Sequence, residues 1–351
     1  MTMAADRIVS CPCPPFRVLD SDHRFLLSII IPAHNAAATL KQCLTALFEQ
    51  DVPRQLYEVI VIDDASTDHT CTVAEGFDVQ LIALKQNMGA ARARNYAADQ
   101  ALGEYIFFLD ADVILVRNSL PSLLALIEKE RPDAVVGSYT VISNARGFFS
   151  QFQNFFTYFN HDQPPGPIHW FWTAMGVIRR EVFIEMGGFS TRYRGASAED
   201  MDLGYRLADA GKLTLLTSEV RGEHLHHHSL TSILRNDFRK SAAWGELYLR
   251  TNRSGEYHHT FTGWISQATL FGVWLMLAMV VAGFLWSLLW WAALGMFVFL
   301  VLLNIKFYAF IARRKGILFT FLAVLFHLFT YIPTGMGSIK ALWRYLRHRK
   351  F

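Results

Sequence analysis

Three acidic pairs are the residues of this sequence best suited to chemistry. They stand at or near the ends of apolar runs or helical patterns: Asp63-Asp64, Asp110-Ala-Asp112 and Glu199-Asp200. Mg²⁺ and Mn²⁺ prefer carboxylate oxygens, and they commonly take one or two from protein and the rest from phosphate oxygens and water. One such pair alone is a weak signal and is more typical of a turn that caps a helix. Three in one region favour a site for a metal and a phosphate.

The elements that would position these acids alternate along the chain. Short apolar runs predict buried strands at Phe25–Ile31, Val59–Ile62, Leu81–Leu84, Tyr105–Leu109 and Ala134–Val136. Helical patterns intervene at Ala37–Glu49 and Gly89–Leu102, and Met201–Ala210 is also helix-like. Alternation of this kind predicts an α/β domain with a mostly parallel sheet, whose ligands lie beyond the carboxyl ends of the strands. No Gly-x-Gly-x-x-Gly occurs, which disfavours a dinucleotide site.

Composition separates a second region from this domain. Of the 351 residues, 52% are hydrophobic and only 18% are charged, against about 25% charged in soluble domains. Tyr257–Ile305 contains no Asp, Glu, Lys or Arg, and it is long enough for two membrane helices of about 20 residues each. We predict helices near 264–285 and 287–305, and a third candidate at 316–339. The predicted organisation is a tail at 1–24, a domain at 25–255 and a membrane region at 256–351.

Basic residues flank the third candidate helix on both sides. Arg313-Arg314-Lys315 precede it, and Arg344, Arg347, Arg349 and Lys350 follow it. The positive-inside rule places both clusters on the cytosolic face. A third full span would separate them, so either 316–339 is re-entrant or interfacial, or the rule is violated. The sequence leaves both possibilities open.

Several other classes of protein are disfavoured. A formal net charge of +3 is too small to indicate nucleic-acid binding. Four cysteines do not make a disulfide scaffold and fit a reducing compartment. Cys11 and Cys13 lack other nearby metal ligands. A transporter is poorly supported, because no repeat and no intramembrane acid is found in the apolar region.

The motifs together resemble family 2 glycosyltransferases of the GT-A fold. The resemblance covers about residues 26–250 and rests on motifs in the family's order: Ser28–Asn35, Val59–Asp68, Asn87–Asn95, Phe108–Asp112, Gly187-Gly-Phe189 and Glu199-Asp200. Two positions depart from the pattern, since Ala65 and Ala174 stand where glycine is common. The resemblance implies a nucleotide-diphospho-sugar transferase fold with a Rossmann-like sheet, followed here by transmembrane helices.

The resemblance also implies roles for individual residues. Nucleotide-sugar contacts fall to Pro32, His34, Asn35, Asp64, Arg94 and Asp110: Pro32 and His34 pack on the base, Asp64 hydrogen-bonds it, and Arg94 lies near the diphosphate. Asp110 and Asp112 form the Asp-x-Asp pair, and a histidine completes the Mn²⁺ or Mg²⁺ site. His224 fits that position best, with His226 as the alternative.

The catalytic step that the resemblance implies is an inverting displacement. Asp200 is the general base for the acceptor hydroxyl, and Glu199 binds the acceptor or tunes Asp200. Without the other motifs, the same acidic pair is typical of a helix N-terminus.

Aromatic residues suggest where an acceptor binds. Phe148–Phe159 carries aromatics at helical spacing and no charge, which fits either a core helix or an amphipathic segment at a membrane surface. Trp170 and Trp172 follow it, and stacking on a sugar is a typical role for such rings.

The resulting hypothesis is an integral inner- or plasma-membrane enzyme with a cytoplasmic catalytic domain, active in cell-envelope polysaccharide or glycolipid synthesis. It would use a UDP-, GDP- or dTDP-sugar and a lipid-linked or glycan acceptor. A processive polysaccharide synthase is an alternative, although Arg235–Trp244 does not supply the Gln-x-x-Arg-Trp motif of such enzymes. A non-catalytic membrane scaffold is the other alternative. The presence of every required acid argues against it.

Overall fold

The computed structural model describes residues 25–141, 146–161, 163–193, 198–225, 227–251 and 263–347. The predicted tail at 1–24 and His226 lie outside these ranges. The chain divides into two compact units, the first made of Met1–Asn144 and Gln163–His226, and the second of Ala145–Asp162 and His227–Phe351. The second unit therefore takes in two segments upstream of residue 256, where the sequence predicted the membrane region to begin.

The first unit is built on a nine-stranded mixed sheet. Its strands are β1 (Leu27–Ala33), β2 (Tyr57–Asp63), β3 (Gln80–Ala83), β4 (Tyr105–Leu109), β5 (Val113–Leu115), β6 (Ala134–Tyr139), β7 (Gly166–Ile168), β8 (Met175–Arg179) and β9 (Thr214–His224). The order across the sheet is β3-β2-β1-β4-β8-β6-β9-β5, with β7 paired to β9. The four strands at one side, β3, β2, β1 and β4, are parallel to one another.

Helices connect these strands and form the second unit. In chain order they are α1 (Ala37–Phe48), α2 (Thr70–Glu75), α3 (Ala90–Asp99), α4 (Ser119–Glu130), α5 (Phe148–His161), α6 (Arg180–Glu185), α7 (Glu199–Asp209), α8 (Leu230–Thr251), α9 (Trp264–Ala282), α10 (Leu288–Leu303) and α11 (Ile305–Arg347). A short 3-10 turn, Arg54–Leu56, precedes β2.

The five predicted strands are all present, but the expectation of a mostly parallel sheet is wrong for half of the pairings. β8 is inserted antiparallel between β4 and β6, and β9 pairs antiparallel with β5 and β7. All seven residues of β2 are buried, so β2 has the continuous apolar pattern of a strand covered on both faces. The later strands mix small, polar and apolar residues, so they carry no comparable signal.

The second unit consists of α5 and α8–α11. Phe152 of α5 lies 4.9 Å, between ring centroids, from Phe326 of α11, and Phe156 lies 5.6 Å from Phe307. The aromatic face predicted at Phe148–Phe159 therefore packs on α11, which supports the core-helix alternative for that face.

The three predicted membrane segments are helical, with altered bounds. The first two correspond to α9 and α10, and the third lies inside α11, which continues through Pro333 and has non-helical dihedrals at Gly316. Among the described residues, α9 and α11 are long and apolar enough to cross a membrane by length and composition, and α10 is a shorter apolar helix. Criteria of this kind alone are weak evidence for a span.

Candidate functional site

The first unit gathers the predicted acids at the carboxyl ends of neighbouring strands. Asp64 directly follows β2, and Asp110 directly follows β4. Parallel pairing of β2, β1 and β4 places these ends at the same edge of the sheet. Cys43 of α1 is buried beneath this edge, and its thiol donates to the Asp110 carbonyl oxygen at 3.7 Å. Burial, and then the charges of Asp112 and Asp110, raise the pKa of that thiol.

Asp64 orders the loop that enters α3. Its carboxylate accepts hydrogen bonds from the backbone N–H groups of Met88 at 2.6 Å and Gly89 at 2.9 Å. Gly89 has a φ of 85°, which favours glycine at the start of this helix. The backbone carbonyl of Asp64 lies 2.8 Å from Nδ1 of His34. The predicted base-binding residues Asp64 and His34 are thus brought together, and Asp64 is tied to the α3 loop.

Asn35 joins the loop after β1 to the loop after β2. Its backbone N–H donates to Ser66 Oγ at 2.8 Å, and its side-chain oxygen accepts from the Thr67 backbone N–H at 2.8 Å. Asn35 has a φ of 52°, a conformation that asparagine adopts more readily than most residues. Pro32 lies within β1, in register with Ile62. These contacts give the predicted nucleotide loop a defined backbone.

Arg94, predicted to lie near the diphosphate, is buried between two of the acidic pairs. Its side chain is 3% exposed, Nη2 donates to Asp110 Oδ1 at 2.6 Å, and Nη1 lies 3.7 Å from Glu199 Oε1. Burial disfavours the guanidinium charge, but Asp110, Glu199 and Asp200 outweigh it and raise the pKa of Arg94. Arg94 is therefore a buried cation that joins two of the acidic pairs.

Asp112 and His224 form a second, separate pair. Asp112 Oδ2 lies 3.4 Å from His224 Nε2, because β5 pairs antiparallel with β9 and brings Val113 opposite His224. The His224 ring stacks on Tyr139 at 4.8 Å, and Tyr139 meets Trp172 edge-on at 4.5 Å. Burial, followed by the charges of Asp112 and Asp110, raises the pKa of Tyr139. The aromatic stack fixes the plane of the imidazole.

This pair suits a divalent cation only in part. One carboxylate oxygen and one imidazole nitrogen are side by side, and both are ordinary ligands of Mn²⁺. Among the described residues, no group of three or more His, Cys, Asp or Glu side chains is arranged to hold a metal. Asp110, predicted as a further ligand, accepts a hydrogen bond from Arg94 through Oδ1. The donor set fits an ion that takes its remaining oxygens from a substrate phosphate and water.

Glu199 and Asp200 begin α7. Glu199 is buried beside Arg94, and Asp200 is half-buried, with Oδ1 accepting from the Met201 backbone N–H at 2.8 Å. Both carboxylates lie in the first helical turn, where the dipole stabilises negative charge. The two acids therefore differ: Glu199 faces the interior cation, and Asp200 keeps access to solvent.

The two predicted acceptor tryptophans are in unlike surroundings. Trp170 is 3% exposed, and a side chain at Gly204 of α7 would collide with the Trp170–Phe171 backbone. Trp172 is half-buried and contacts Tyr139. Trp172 is thus the better placed of the two to meet a substrate.

Asn95 is a positioning residue for which sequence reasoning assigned no role. Its side chain makes two hydrogen bonds with the Phe189 backbone, donating to the oxygen at 2.8 Å and accepting from the N–H at 2.9 Å. Gly187 and Gly188, the two residues before Phe189, have φ of 73° and 68°. Both motifs were visible in the sequence, but their pairing across about ninety positions carried no signal.

The first unit resembles known proteins in both sequence and fold. Residues 28–187 match the model of the family "Glycosyl transferase family 2". A validoxylamine A glucosyltransferase of Streptomyces hygroscopicus subsp. jinggangensis is 28% identical over 257 residues, which cover 62% of this chain and 60% of that protein. The Escherichia coli UDP-Glc:alpha-D-GlcNAc-diphosphoundecaprenol beta-1,3-glucosyltransferase WfgD is 34% identical over 123 residues, covering 34% of this chain and 48% of that protein.

A solved structure extends the likeness to most of the chain. The mannosyltransferase PcManGT of Pyrobaculum calidifontis, solved in complex with GDP-Man and Mn²⁺, superposes with a TM-score of 0.56 at 19% identity, over 94% of this chain and 91% of that one. This likeness shows a mixed α/β, GT-A-like fold. The matches span less than two thirds of the length of the two curated relatives. The family model and both relatives are thus of glycosyltransferases, and the family match is confined to residues 28–187 of this chain.

Proposed function

We propose that this chain is a membrane-anchored, metal-dependent, inverting glycosyltransferase. It moves a sugar from a nucleoside-diphosphate sugar to a lipid-linked or glycan acceptor. The observation that carries the proposal is the arrangement at the strand ends. Arg94, which is buried, joins Asp110 to Glu199 at the start of α7, and two residues after Asp110 the carboxylate of Asp112 lies beside the imidazole of His224. The named relatives use glucosyl or mannosyl donors, which supports the same class of donor here.

The donor lies at the carboxyl edge of β1, β2 and β4. His34, Asn35 and Asp64 order the loops against which the nucleotide packs. Asp112 Oδ2 and His224 Nε2 would hold Mn²⁺ or Mg²⁺, and the ion would neutralise the charge that develops on the leaving diphosphate. The complex of PcManGT with GDP-Man and Mn²⁺ supports this part of the proposal. The Tyr139 ring keeps the His224 imidazole in one orientation.

Asp200 is the general base. It takes the proton of the acceptor hydroxyl while that oxygen attacks the anomeric carbon on the face opposite the diphosphate, so that the configuration inverts. Arg94 lies beside Glu199, so a buried cation offsets the negative charge of the residue that precedes Asp200. Trp172 stacks against the sugar or acceptor ring.

The second unit anchors the enzyme to the inner or plasma membrane. The charge-free stretch from Tyr257 to Ile305, which contains α9 and α10, supports this part of the proposal. The basic cluster Arg313-Arg314-Lys315, which begins eight residues after that stretch, favours a cytoplasmic first unit by the positive-inside rule. A lipid-linked acceptor, such as the diphosphoundecaprenol in the name of the E. coli relative, is consistent with that location.

Nucleotide binding tests the proposal without knowledge of the acceptor. UDP, GDP and dTDP are titrated calorimetrically into detergent-solubilised protein, with and without Mn²⁺. We expect one nucleotide to bind tightly only with Mn²⁺, and Asp112→Asn to lose the metal-dependent part of the affinity. Asp99→Asn, an exposed carboxylate at the end of α3, is the matched control and should bind like the native protein. Absence of binding by any nucleotide to folded protein would favour the non-catalytic scaffold.

A further inference from the structure

We infer that α11 does not cross the membrane but lies along its surface, on the side of α8, with one apolar face in the lipid and its basic residues at the phosphate level. The inference rests on the proposed membrane anchoring and deepens it. It assigns two crossings, α9 and α10, to the described part of the chain.

The exposed face of α11 is longer than a bilayer is thick. Large apolar side chains recur along one face, all at least 44% exposed: Leu318, Phe321, Leu322, Leu325, Phe329, Met336, Ile339, Trp343 and Leu346. From the first to the last, this lipid-facing stripe measures about 42 Å at 1.5 Å per residue. The hydrocarbon core is about 30 Å thick. A spanning helix could bury the stripe only at a tilt near 45°, above the usual range of about 0–40°.

The opposite face of α11 packs on a charged helix. Arg344 donates to Glu246 of α8 at 2.6 Å, and the Lys340 ammonium lies 4.9 Å from the Phe238 ring centroid. A side chain at Gly337 would collide with Ser241, so the two helices are in close contact. The charged residues of α8 are Arg235, Asp237, Arg239, Lys240, Glu246 and Arg250. Six charges in one helix exclude it from hydrocarbon. The end of α11 beside it therefore lies outside the hydrocarbon too.

The start of α11 is on the same side. The twelve residues that join α8 to α9 are fewer than the about 20 that a span requires, so α9 enters the membrane from the side of α8. α10 returns, because a turn of five residues separates it from α9. Arg313-Arg314-Lys315 follow, exposed, just before the break at Gly316. Both ends of α11 thus lie on one face of the membrane.

Contacts within the second unit agree with a helix lying across the base of a hairpin. Trp274 of α9 donates to the Tyr331 carbonyl oxygen at 3.2 Å, and Asn304 donates to Thr269 Oγ at 3.0 Å. These contacts lie in the first two thirds of α9. At the hairpin tip Phe284 is 80% and Leu285 is 91% exposed. The tip thus extends beyond α11, as it would if the hairpin enters the bilayer and α11 stays at the surface.

An arginine beside an aromatic ring is found near each end of the lipid-facing stripe. The Arg314 guanidinium lies 3.9 Å from the Phe310 ring centroid, and that of Arg347 lies 4.1 Å from Trp343. Arginine beside an aromatic ring is typical of headgroup depth, where the cation reaches anionic phosphates and the ring stays in the apolar boundary. With α11 at the surface, both basic clusters lie on the same face, and the conflict with the positive-inside rule disappears.

Depth measurements on the full chain test this topology. Nitroxides are attached to single cysteines at Leu322, Phe329 and Ile339, in protein whose native cysteines are replaced, reconstituted in phosphatidylcholine–phosphatidylglycerol vesicles. Accessibility to oxygen and to a water-soluble nickel chelate gives the depth of each. A surface helix predicts nearly equal, shallow depths. A spanning helix predicts a maximum at Phe329, because Leu322 and Ile339 are about 25 Å apart along the axis.

Two further sites separate the failure of this inference from the failure of anchoring. A label at Leu294 of α10 should lie deep in hydrocarbon, and one at Lys129, an exposed residue of α4, should stay in water. A deep Leu294 with a depth maximum at Phe329 would overturn the surface placement alone. A water-exposed Leu294 would overturn the anchoring on which it rests.

A membrane-impermeant maleimide gives an independent result. In sealed vesicles, cysteines at Arg314 and Arg347 should react from the same side as one at Lys129, whereas one at Ser287 in the hairpin turn should react from the opposite side. Reaction of the Arg314 and Arg347 cysteines from opposite sides would contradict the inference.

Discussion

At the scale of single residues, the site depends on Arg94, a cation that is almost completely buried. Arg94 is held by Asp110 at 2.6 Å and approaches Glu199 at 3.7 Å, and all three come from different elements. Removing one partner of a buried ion pair leaves an uncompensated charge, which commonly costs about 3–5 kcal/mol. Arg94 therefore affects both folding and the placement of the catalytic acids.

Replacement of Arg94 should lower both the stability of the protein and the rate of sugar transfer. We expect Arg94→Met to lower the free energy of unfolding by about 3 kcal/mol and to reduce sugar transfer more than nucleotide affinity. Arg92→Met changes an exposed arginine two positions earlier in the same helix and should be close to neutral. Thermal unfolding and nucleotide titration of both variants test this. Equal stability of the two variants would show that the buried pairing has no such role.

The Gly187–Phe189 turn offers a second test at this scale. Gly188 and Gly211 have nearly the same φ, 68° and 67°, but a Cβ at Gly188 would lie 2.9 Å from Asn95 Oδ1, whereas open space surrounds Gly211. Alanine should strain both backbones by about 1 kcal/mol. Gly188→Ala should also disturb two Asn95 hydrogen bonds of about 0.5–1.5 kcal/mol each. We expect a lower unfolding temperature for Gly188→Ala than for Gly211→Ala, and the reverse order would contradict this role of Asn95.

At the scale of elements, the strongly apolar strands and the helices between them were predictable. β2 and β4 are buried along their whole length, and α1 carries Leu40, Cys43, Leu44 and Leu47 on one buried face. β5, β7, β8 and most of β9 were not predicted. β5 and β7 have three residues each, β8 has five with a glycine among them, and β9 carries an exposed and a half-buried glutamate and an exposed arginine, so none shows a long apolar run. Their pairing depends on long-range contacts.

The same distinction applies to the site. The motifs identified His34, Asp64, Asp112, Asp200 and His224 as chemical residues. The structure places His34 beside Asp64, Asp112 beside His224, and Asp200 in the first turn of α7. The motifs did not indicate that Arg94 is buried and joins Asp110 to Glu199, nor that Tyr139 holds His224. Such contacts between distant elements become visible only when the chain is folded.

α8 carries a pH-dependent element of the second unit. Loss of hydration raises the pKa of Asp237 to about 7, against the opposing effect of Lys240. An unfolded aspartate titrates near 3.9, so the folded state binds this proton more tightly. The contribution to stability is complete below about pH 4 and is lost as pH rises through about 7. Asp237→Asn should flatten the decline in unfolding temperature over this range, while Asp99→Asn should leave it unchanged; similar slopes in all three proteins would contradict this.

At the scale of the whole molecule, the two units have separate tasks under our account. The first unit carries the residues for donor and metal, and the second carries the apolar surfaces suited to a bilayer. The family model covers residues 28–187 and ends before Glu199-Asp200, His224 and all the apolar helices. The likeness to PcManGT, by contrast, extends over 94% of the chain. The shared fold therefore extends beyond the part of the chain that the family model covers, and it takes in the apolar helices.

The central claim is that Asp200 removes a proton in the transfer step and is not needed to bind the donor. The most direct measurement compares nucleotide affinity with the release of nucleoside diphosphate, from a donor sugar of the nucleotide identified by calorimetry, with water as acceptor. We predict that Asp200→Asn binds within about twofold of the native protein and releases product about 10²–10⁴ times more slowly. Asp209→Asn, at the other end of α7, should match the native protein in both. Native-like product release by Asp200→Asn, with intact donor binding, would contradict the account.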